Sequence, residues 1–162
     1  MKVQVFAVGG TIDKIYFDAK SDFEVGEPQI GDLLHEANVT FDYQVTSLMR
    51  KDSIDMTDAD RQLIREAVES CEAERILITH GTDTMADTAR ALKGVTGKVV
   101  VMTGAMQPAR FRVSDAIFNI GYAIGTLQLL TPGIYVAING QVFDPEHLVK
   151  NRDAHRFEIA GD

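Results

Sequence analysis

Threonine hydroxyls beside glycines and a carboxylate are the groups in this sequence best suited to chemistry. Thr11 follows Gly9 and Gly10, and Thr82 and Asp83 lie within the run T-H-G-T-D-T. A threonine activated by a neighbouring base can attack a carbonyl carbon, and a hydroxyl beside a carboxylate can polarise water. Each residue also has a structural interpretation, because Thr11 suits a turn and Thr82 or Asp83 suits a helix cap. The residues alone leave both interpretations open.

Other kinds of site find little support in the sequence. The Gly-Gly-Thr run lacks the G-x-G-x-x-G spacing of a dinucleotide fingerprint, and no G-K-[ST] phosphate loop occurs. Cys71 is the single cysteine, which excludes an intramolecular disulfide and gives no zinc-binding spacing. Among the histidines, His80 is expected to order its loop, and the others are interpreted as surface residues. We therefore predict no metal and no cofactor.

Apolar runs and helical patterns alternate along the chain. Alternation of this kind predicts a parallel sheet with helices on both faces, because each parallel pair needs a crossover. We expect one α/β domain over residues 1–162, with three α-β-α layers and a mostly parallel, Rossmann- or flavodoxin-like sheet. The predicted strands are Val3–Val8, Val45–Leu48, Ile76–Thr79, Val99–Thr103 and Ile134–Ile138, and the predicted helices are Ile30–Ala37, Thr57–Cys71, Asp83–Leu92 and Ser114–Leu130.

This arrangement places the polar segments at one edge of the sheet. Thr11, Asp52-Ser53, Thr82-Asp83 and Ala105 each follow a predicted strand, and ligands bind beyond the carboxyl ends of parallel strands. Residues 13–26 are too long for a tight turn and predict a flap hairpin. Arg110 and Arg112, beside the fourth junction, are interpreted mainly as solvated loop charges, with contact to a substrate carboxylate as the alternative.

Three motifs occur together in a specific order: A-V-G-G-T-I at residues 7–12, T-H-G-T-D-T-M at 79–85 and K-V-V-V-M-T-G-A-M at 98–106. This set resembles the bacterial-type L-asparaginase family. The similarity extends through Ser114-Asp115, Phe118-Asn119 and the strand at 133–139, and thus covers nearly the whole chain. The resemblance implies a cofactor-free amidohydrolase that converts asparagine to aspartate and ammonia through an acyl-enzyme on a threonine.

The resemblance also implies roles for individual residues. Thr11 would be the nucleophile, and Thr82, Asp83 and Lys98 would form a hydrogen-bonded set that activates it and stabilises the oxyanion together with backbone N–H groups. Lys98 precedes a parallel strand, however, and is expected far from the carboxyl edge unless a bulge or its long stem carries the ammonium inward. The residues assigned to substrate binding are Gly10, Asp52, Ser53, Gly81 and Ala105.

The sequence departs from the family pattern at several points. Phe23 stands where members commonly carry a flap tyrosine, so Tyr16 is the expected phenol that assists Thr11, with a packing role as the alternative. Ile54 replaces an amide residue, which predicts weaker or altered substrate recognition. Family members also have a smaller second domain that supplies a carboxylate for the substrate's amino group. Asp52, Asp83 or an acidic group of another subunit could take that role.

Bulk properties narrow the choice of partners. A net charge of −8 argues against nucleic-acid binding, and the N-terminal segment is too short for a signal peptide or a membrane span. We therefore expect a cytoplasmic protein, with a small-molecule amide as substrate, and a homo-oligomer that buries apolar helices such as 117–130. The alternatives are a glutaminase or other small-amide hydrolase, the ammonia-generating subunit of a tRNA-dependent amidotransferase, and a non-catalytic asparagine sensor.

Overall fold

The computed structural model describes residues 1–17 and 22–161, and these form a single α/β domain. All five predicted strands and all four predicted helices are present, with small shifts at their ends. The strands are β1 (Lys2–Gly9), β2 (Lys14–Phe17), β3 (Asp22–Val25), β4 (Asp42–Lys51), β5 (Arg75–Thr79), β6 (Val99–Thr103), β7 (Gly133–Ile138), β8 (Gln141–Phe143), β9 (Leu148–Asn151) and β10 (Arg156–Ile159). The helices are α1 (Ile30–Glu36), α2 (Asp58–Ser70), α3 (Met85–Ala91) and α4 (Ala116–Leu129).

The central sheet has six strands in the order β4-β1-β5-β6-β7-β8. Its strands pair in parallel, except for β8, which pairs antiparallel with β7. The chain passes from β1 to β4 on one side and then to β5 on the other side of β1. This reversal opens a crevice at the carboxyl ends of β1 and β5, where α/β proteins of this kind bind ligands.

Two apolar cores hold the helices on opposite faces of the sheet, as predicted for three layers. Ile64 and Val68 of α2 share one core with Met85 of α3 and with strand residues such as Ile78. Side chains of α1 and α4 share the other core with the alternate residues of the same strands. The side-chain alternation of each strand explains this division, since successive residues point to opposite faces.

Two small hairpins lie outside the central sheet. β2 and β3 pair antiparallel, which confirms the flap hairpin predicted after the first strand, although its tip at residues 18–21 lies outside the described residues. β9 and β10 form a second antiparallel pair that was not predicted from the sequence. This second hairpin brings Lys150 of β9 to the carboxyl edge of the central sheet, beside Thr82 and Asp83.

Candidate functional site at the carboxyl edge of the sheet

The loops after β1 and β5 are packed directly against each other. Thr11 begins a short 3-10 turn, and Gly10 before it has a φ of 91°, a conformation that favours glycine. Gly10 donates a backbone hydrogen bond to the Lys51 carbonyl at 3.0 Å. A Cβ on Gly10 would collide with the backbone of Gly81, so both glycines are required for this close approach. The loop of Thr11 therefore lies against the loop of Thr82.

Ser53, in the loop after β4, completes this side of the site. The residue is 1% exposed, and its hydroxyl has no hydrogen-bond partner among the described residues. A Cβ on Gly81 would come within 2.5 Å of the Ser53 hydroxyl oxygen, and the Thr84 hydroxyl donates to the Ser53 carbonyl at 2.7 Å. An unpaired buried hydroxyl carries a desolvation cost that a polar ligand would relieve. Ser53 therefore has unused hydrogen-bonding capacity beside Gly81.

Lys150 is the cation that contacts Thr82 and Asp83. Its Nζ donates to the Thr82 hydroxyl oxygen at 2.8 Å and to the Asp83 carboxylate at 2.9 Å. The Lys150 and Asp83 side chains are only 17% and 26% exposed, so water screens this pair incompletely. Arg152 approaches the same Asp83 oxygen at 3.5 Å, but its side chain is largely exposed. Lys150 is thus the principal partner of Asp83.

The prediction that Lys98 belongs to this set is wrong. Lys98 Nζ donates to the backbone carbonyls of Cys71 and Ala73, in the segment between α2 and β5. The residue immediately precedes β6, whose register with β5 is continuous, so no bulge carries it inward. Lys98 therefore lies at the amino edge of the sheet, while Thr82 and Asp83 follow the carboxyl end of β5.

Sequence reasoning missed Lys150, because the C-terminal segment was not recognised as a hairpin. Leu148 of β9 and Phe157 of β10 are buried in the core shared with α2 and α3. The Phe157 N–H donates to the Asn139 side chain at 3.1 Å, and Asn139 is held in turn by Asn119. The only sequence signal was the short apolar alternation before a polar turn at 151–155, but it indicates a hairpin without indicating where that hairpin docks.

Asp52 lies at the base of the flap and already has a cationic partner. Lys14 of β2 contacts the Asp52 carboxylate at 2.8 Å, and the Ile54 N–H donates to its other oxygen. Burial raises the pKa of Asp52, but the hydrogen bond and charge of Lys14, with the Ile54 and Ser53 N–H groups, outweigh it and lower the pKa below its usual value. This pair links the flap to the loop after β4.

Tyr16 is on the flap strand β2 and is about half exposed. Its ring contacts Phe23 with centroids 5.5 Å apart, and Phe23 contacts Phe111 at 5.9 Å. Its hydroxyl makes no hydrogen bond to another described residue. These ring contacts agree with a packing role for Tyr16, and its assistance to Thr11 stays a prediction.

The loop after β6 closes the remaining side of the site. Ala105 is fully buried, and a Cβ on the preceding Gly104 would collide with the His80 carbonyl. Asp115 accepts from the Met106 N–H at 2.9 Å, which fixes this loop. Arg110, which follows it, donates to the Gln29 side chain at 2.6 Å and is exposed. The loops after β1, β4, β5 and β6 thus meet around one crevice.

Comparison with known proteins identifies the family. The family model described as asparaginase, N-terminal, matches residues 2–158. The chain belongs to the asparaginase family. It is 32% identical to L-asparaginase 2 of Escherichia coli over 91% of this chain and 46% of that protein. It is 29% identical to glutaminase-asparaginase of Acinetobacter glutaminasificans, over 94% and 50% of the two chains.

Other relatives of the asparaginase chain differ in the function that their names give. A glutamyl-tRNA(Gln) amidotransferase subunit of Methanococcus vannielii is 38% identical over 51% of this chain and 20% of that protein. Among solved structures, the thermostable L-asparaginase from Thermococcus kodakarensis aligns with a TM-score of 0.85 and 28% identity. That alignment covers 98% of this chain and 51% of the other. The chain spans about half or less of the length of these relatives.

Membrane-spanning helices and metal-binding clusters are both absent from the described residues. No helix there is long and apolar enough to cross a membrane. No group of three or more histidine, cysteine, aspartate or glutamate side chains is arranged to hold a metal ion in that part of the chain.

Proposed function

We propose that this asparaginase-family chain hydrolyses the side-chain amide of L-asparagine to aspartate and ammonia. The observation that carries this proposal is the Lys150, Asp83 and Thr82 cluster, which lies beside the Gly10-Thr11 loop at the carboxyl edge of the sheet. A threonine nucleophile needs polarising neighbours, and the packing of the Gly10 loop against Gly81 supports this role for the cluster. Family membership supports the same reaction class.

In this proposal the Thr11 oxygen attacks the amide carbon to form an acyl-enzyme. The carbon–nitrogen bond then breaks, the amide nitrogen leaves with the Thr11 proton as ammonia, and water hydrolyses the ester to release aspartate. Tyr16 on the flap assists the first proton transfer. Because Lys150 donates to the Thr82 oxygen, the Thr82 hydroxyl hydrogen is left to donate to the oxyanion or to the attacking water.

The substrate's other end would be held by the loop after β4 and by the surrounding backbone. We assign the buried Ser53 hydroxyl to the α-carboxylate, because it lacks a partner within the described structure. Gly10, Gly81 and Ala105 would border the reacting amide. Asp52 is assigned to the α-amine, although its pairing with Lys14 reduces the negative charge that it offers.

Glutamine is the second candidate substrate, because one relative is named glutaminase-asparaginase. The relationship to an amidotransferase subunit favours a third possibility, in which the ammonia is passed to a partner enzyme. A non-catalytic asparagine sensor is the remaining alternative, but a binding protein has no need for a lysine-aspartate pair on the Thr82 hydroxyl. We further propose that the protein is cytoplasmic and forms a homo-oligomer. One structural neighbour, from Campylobacter jejuni, is named a probable cytoplasmic L-asparaginase.

The test is ammonia release from asparagine and glutamine over a wide concentration range. We compare the wild type with Thr11→Val, which removes the hydroxyl but keeps the shape of the side chain. The control is Thr40→Val, because Thr40 is exposed and precedes the amino end of β4, at the edge of the sheet opposite the crevice. Release from asparagine that is lost only in Thr11→Val supports the proposal. Asparagine binding without release from either amide would instead establish the sensor.

A further inference from the structure

We infer that His80 is a positioning residue that fixes the Gly81–Thr82 peptide so that the Thr82 N–H faces the reacting carbonyl as an oxyanion donor. This inference rests on the proposed amidohydrolase function and deepens it. His80 follows β5 directly and is completely buried.

Both nitrogens of the His80 ring have partners. Nδ1 lies 2.7 Å from the Gly81 carbonyl oxygen, and Nε2 lies 2.8 Å from the Thr88 hydroxyl of α3. A carbonyl oxygen can only accept, so Nδ1 carries the hydrogen and donates it. Nε2 is then the acceptor for the Thr88 hydroxyl. The neighbouring groups therefore specify one tautomer of a neutral ring.

Burial supports the neutral form. It lowers the pKa of His80 from 6.5 to about 4, against the opposing effect of the Gly81 carbonyl. The ring is therefore uncharged at neutral pH. A neutral histidine at this position holds the Gly81 carbonyl without adding a second positive charge to that of Lys150, which contacts Thr82 and Asp83.

The direction of the Thr82 N–H follows from peptide geometry. The described peptide bonds are trans, and in a trans peptide the C=O and the N–H point in opposite directions. Since the Gly81 carbonyl points to the buried ring, the Thr82 N–H points away from it. This N–H has no acceptor among the described residues. On its other sides Gly81 borders Gly10 and Ser53, the residues of the proposed site.

A preorganised N–H donor acts mainly in the transition state, where negative charge develops on the oxygen. Loss of its orientation is therefore expected to lower kcat and to leave KM nearly unchanged. Loss of packing alone would instead lower the fraction of folded enzyme and leave the kcat per folded molecule unchanged. This difference separates a positioning role from a structural one.

Two substitutions of His80 make the test specific. In His80→Asn the amide nitrogen takes the place of Nδ1 and can still donate to the Gly81 carbonyl, whereas in His80→Gln the amide reaches only the place of Nε2. We expect His80→Asn to keep kcat for asparagine within about 5-fold, and His80→Gln to lose about 10²-fold with little change in KM. Both variants are compared at matched folded fractions, measured by circular dichroism.

The tautomer provides a second readout that does not require activity. Nitrogen-15 NMR of labelled protein at pH 7 is expected to show a protonated Nδ1 and an unprotonated Nε2 on His80. Equal kcat values in His80→Gln and the wild type, or a hydrogen on Nε2, would overturn the positioning role while leaving the proposed function intact. A wild type without amidase activity, with Thr11→Val equally inactive, would remove the proposed function and this inference together.

Discussion

Lys150 and Asp83 form the charge pair on which the proposed chemistry depends. Without the lysine, the exposed Arg152 at 3.5 Å would be the cation left near Asp83 among the described residues, and Thr82 would lose the hydrogen bond from Lys150. We predict that Lys150→Met lowers kcat/KM for asparagine by at least about 10²-fold, because the polarising charge on Thr82 and Asp83 disappears. Ammonia release at several substrate concentrations measures this effect.

Lys98→Met is the matched control for Lys150→Met. The Lys98 ammonium of the wild type contacts backbone carbonyls at the opposite edge of the sheet. The kcat/KM of Lys98→Met is therefore expected to stay within about 2-fold of wild type, with a small loss of stability. A larger loss of activity in Lys98→Met than in Lys150→Met would contradict the assignment of the site lysine.

Asp13 is a buried carboxyl group at the base of the flap. One oxygen accepts from the Gln29 N–H at 2.9 Å, and the other has no partner among the described residues. Burial raises the pKa of Asp13 from 3.8 to about 6, against the opposing effect of that hydrogen bond. The folded protein therefore holds this proton more tightly than the unfolded chain does, and stability is lost as pH rises from about 4 to about 6.

We predict that Asp13→Asn removes this pH-dependent loss. Relative to wild type, the variant should gain up to roughly 3 kcal/mol in the free energy of unfolding between pH 4 and pH 6, measured by urea denaturation. The quantity to compare is the difference in the free energy of unfolding between variant and wild type at each pH. In the wild type alone, the lowered pKa of His80 makes stability rise with pH below pH 6.5 and so opposes the effect of Asp13. The exposed Asp42→Asn serves as control, and a pH-independent difference for Asp13→Asn would count against a buried acid.

At the scale of elements, the β9–β10 hairpin determines whether the site lysine reaches Asp83. Phe157 on β10 is buried, while Ile159 on the same strand is about half exposed. We predict that Phe157→Ala costs about 3 to 5 kcal/mol of stability and lowers activity even in the folded fraction, because the hairpin loses its anchor in the core. Urea denaturation and ammonia release are measured on the same preparations.

Ile159→Ala is the control for this hairpin, and we expect it to lower the free energy of unfolding by less than about 1 kcal/mol. Normal activity per folded molecule in Phe157→Ala would show that the hairpin holds Lys150 without this anchor.

The main strands and helices were predictable because each has a clear local pattern. Val99–Thr103 is a continuously buried run rich in β-branched residues, and Thr57 with Asp60 forms the capping box that begins α2. The same patterns placed Thr11, Ser53 and Thr82 at one sheet edge. Lys98 was misplaced because its motif resemblance outweighed the strand direction, which correctly indicated the amino edge. Lys150 was missed because hairpin docking depends on long-range contacts such as that between Phe157 and Asn139.

At the scale of the whole molecule, exposed apolar side chains of α4 are the surface that we expect the homo-oligomer to bury. Ile117 and Phe118 of α4 are 66% and 61% exposed. We predict that the protein self-associates in solution and that Ile117→Glu shifts it toward the monomer, because burying an unpaired charge in an apolar contact is costly. Light scattering after size-exclusion chromatography measures the mass. Leu63→Glu, on α2 at the other face, is the control, and a monomeric wild type would refute the prediction.

The order of the central sheet explains why residues far apart in sequence form one site. The reversal between β4 and β5 around β1 brings the loops after β1, β4 and β5 together, and the loop after β6 closes the same crevice. The residues Thr11 and Thr82 lie in two adjacent loops of this crevice. In this geometry the hydrogen bond from Lys150 goes to Thr82, whereas the proposed nucleophile is Thr11. The choice between these two hydroxyls is therefore the most informative point to test.

The most direct test is to map the covalent intermediate. Wild-type protein is mixed with asparagine, quenched with acid within milliseconds to seconds, digested and examined by mass spectrometry. We predict an aspartyl ester on Thr11 that disappears in Thr11→Val. An ester on Thr82, or no ester while ammonia is being released, would contradict the account.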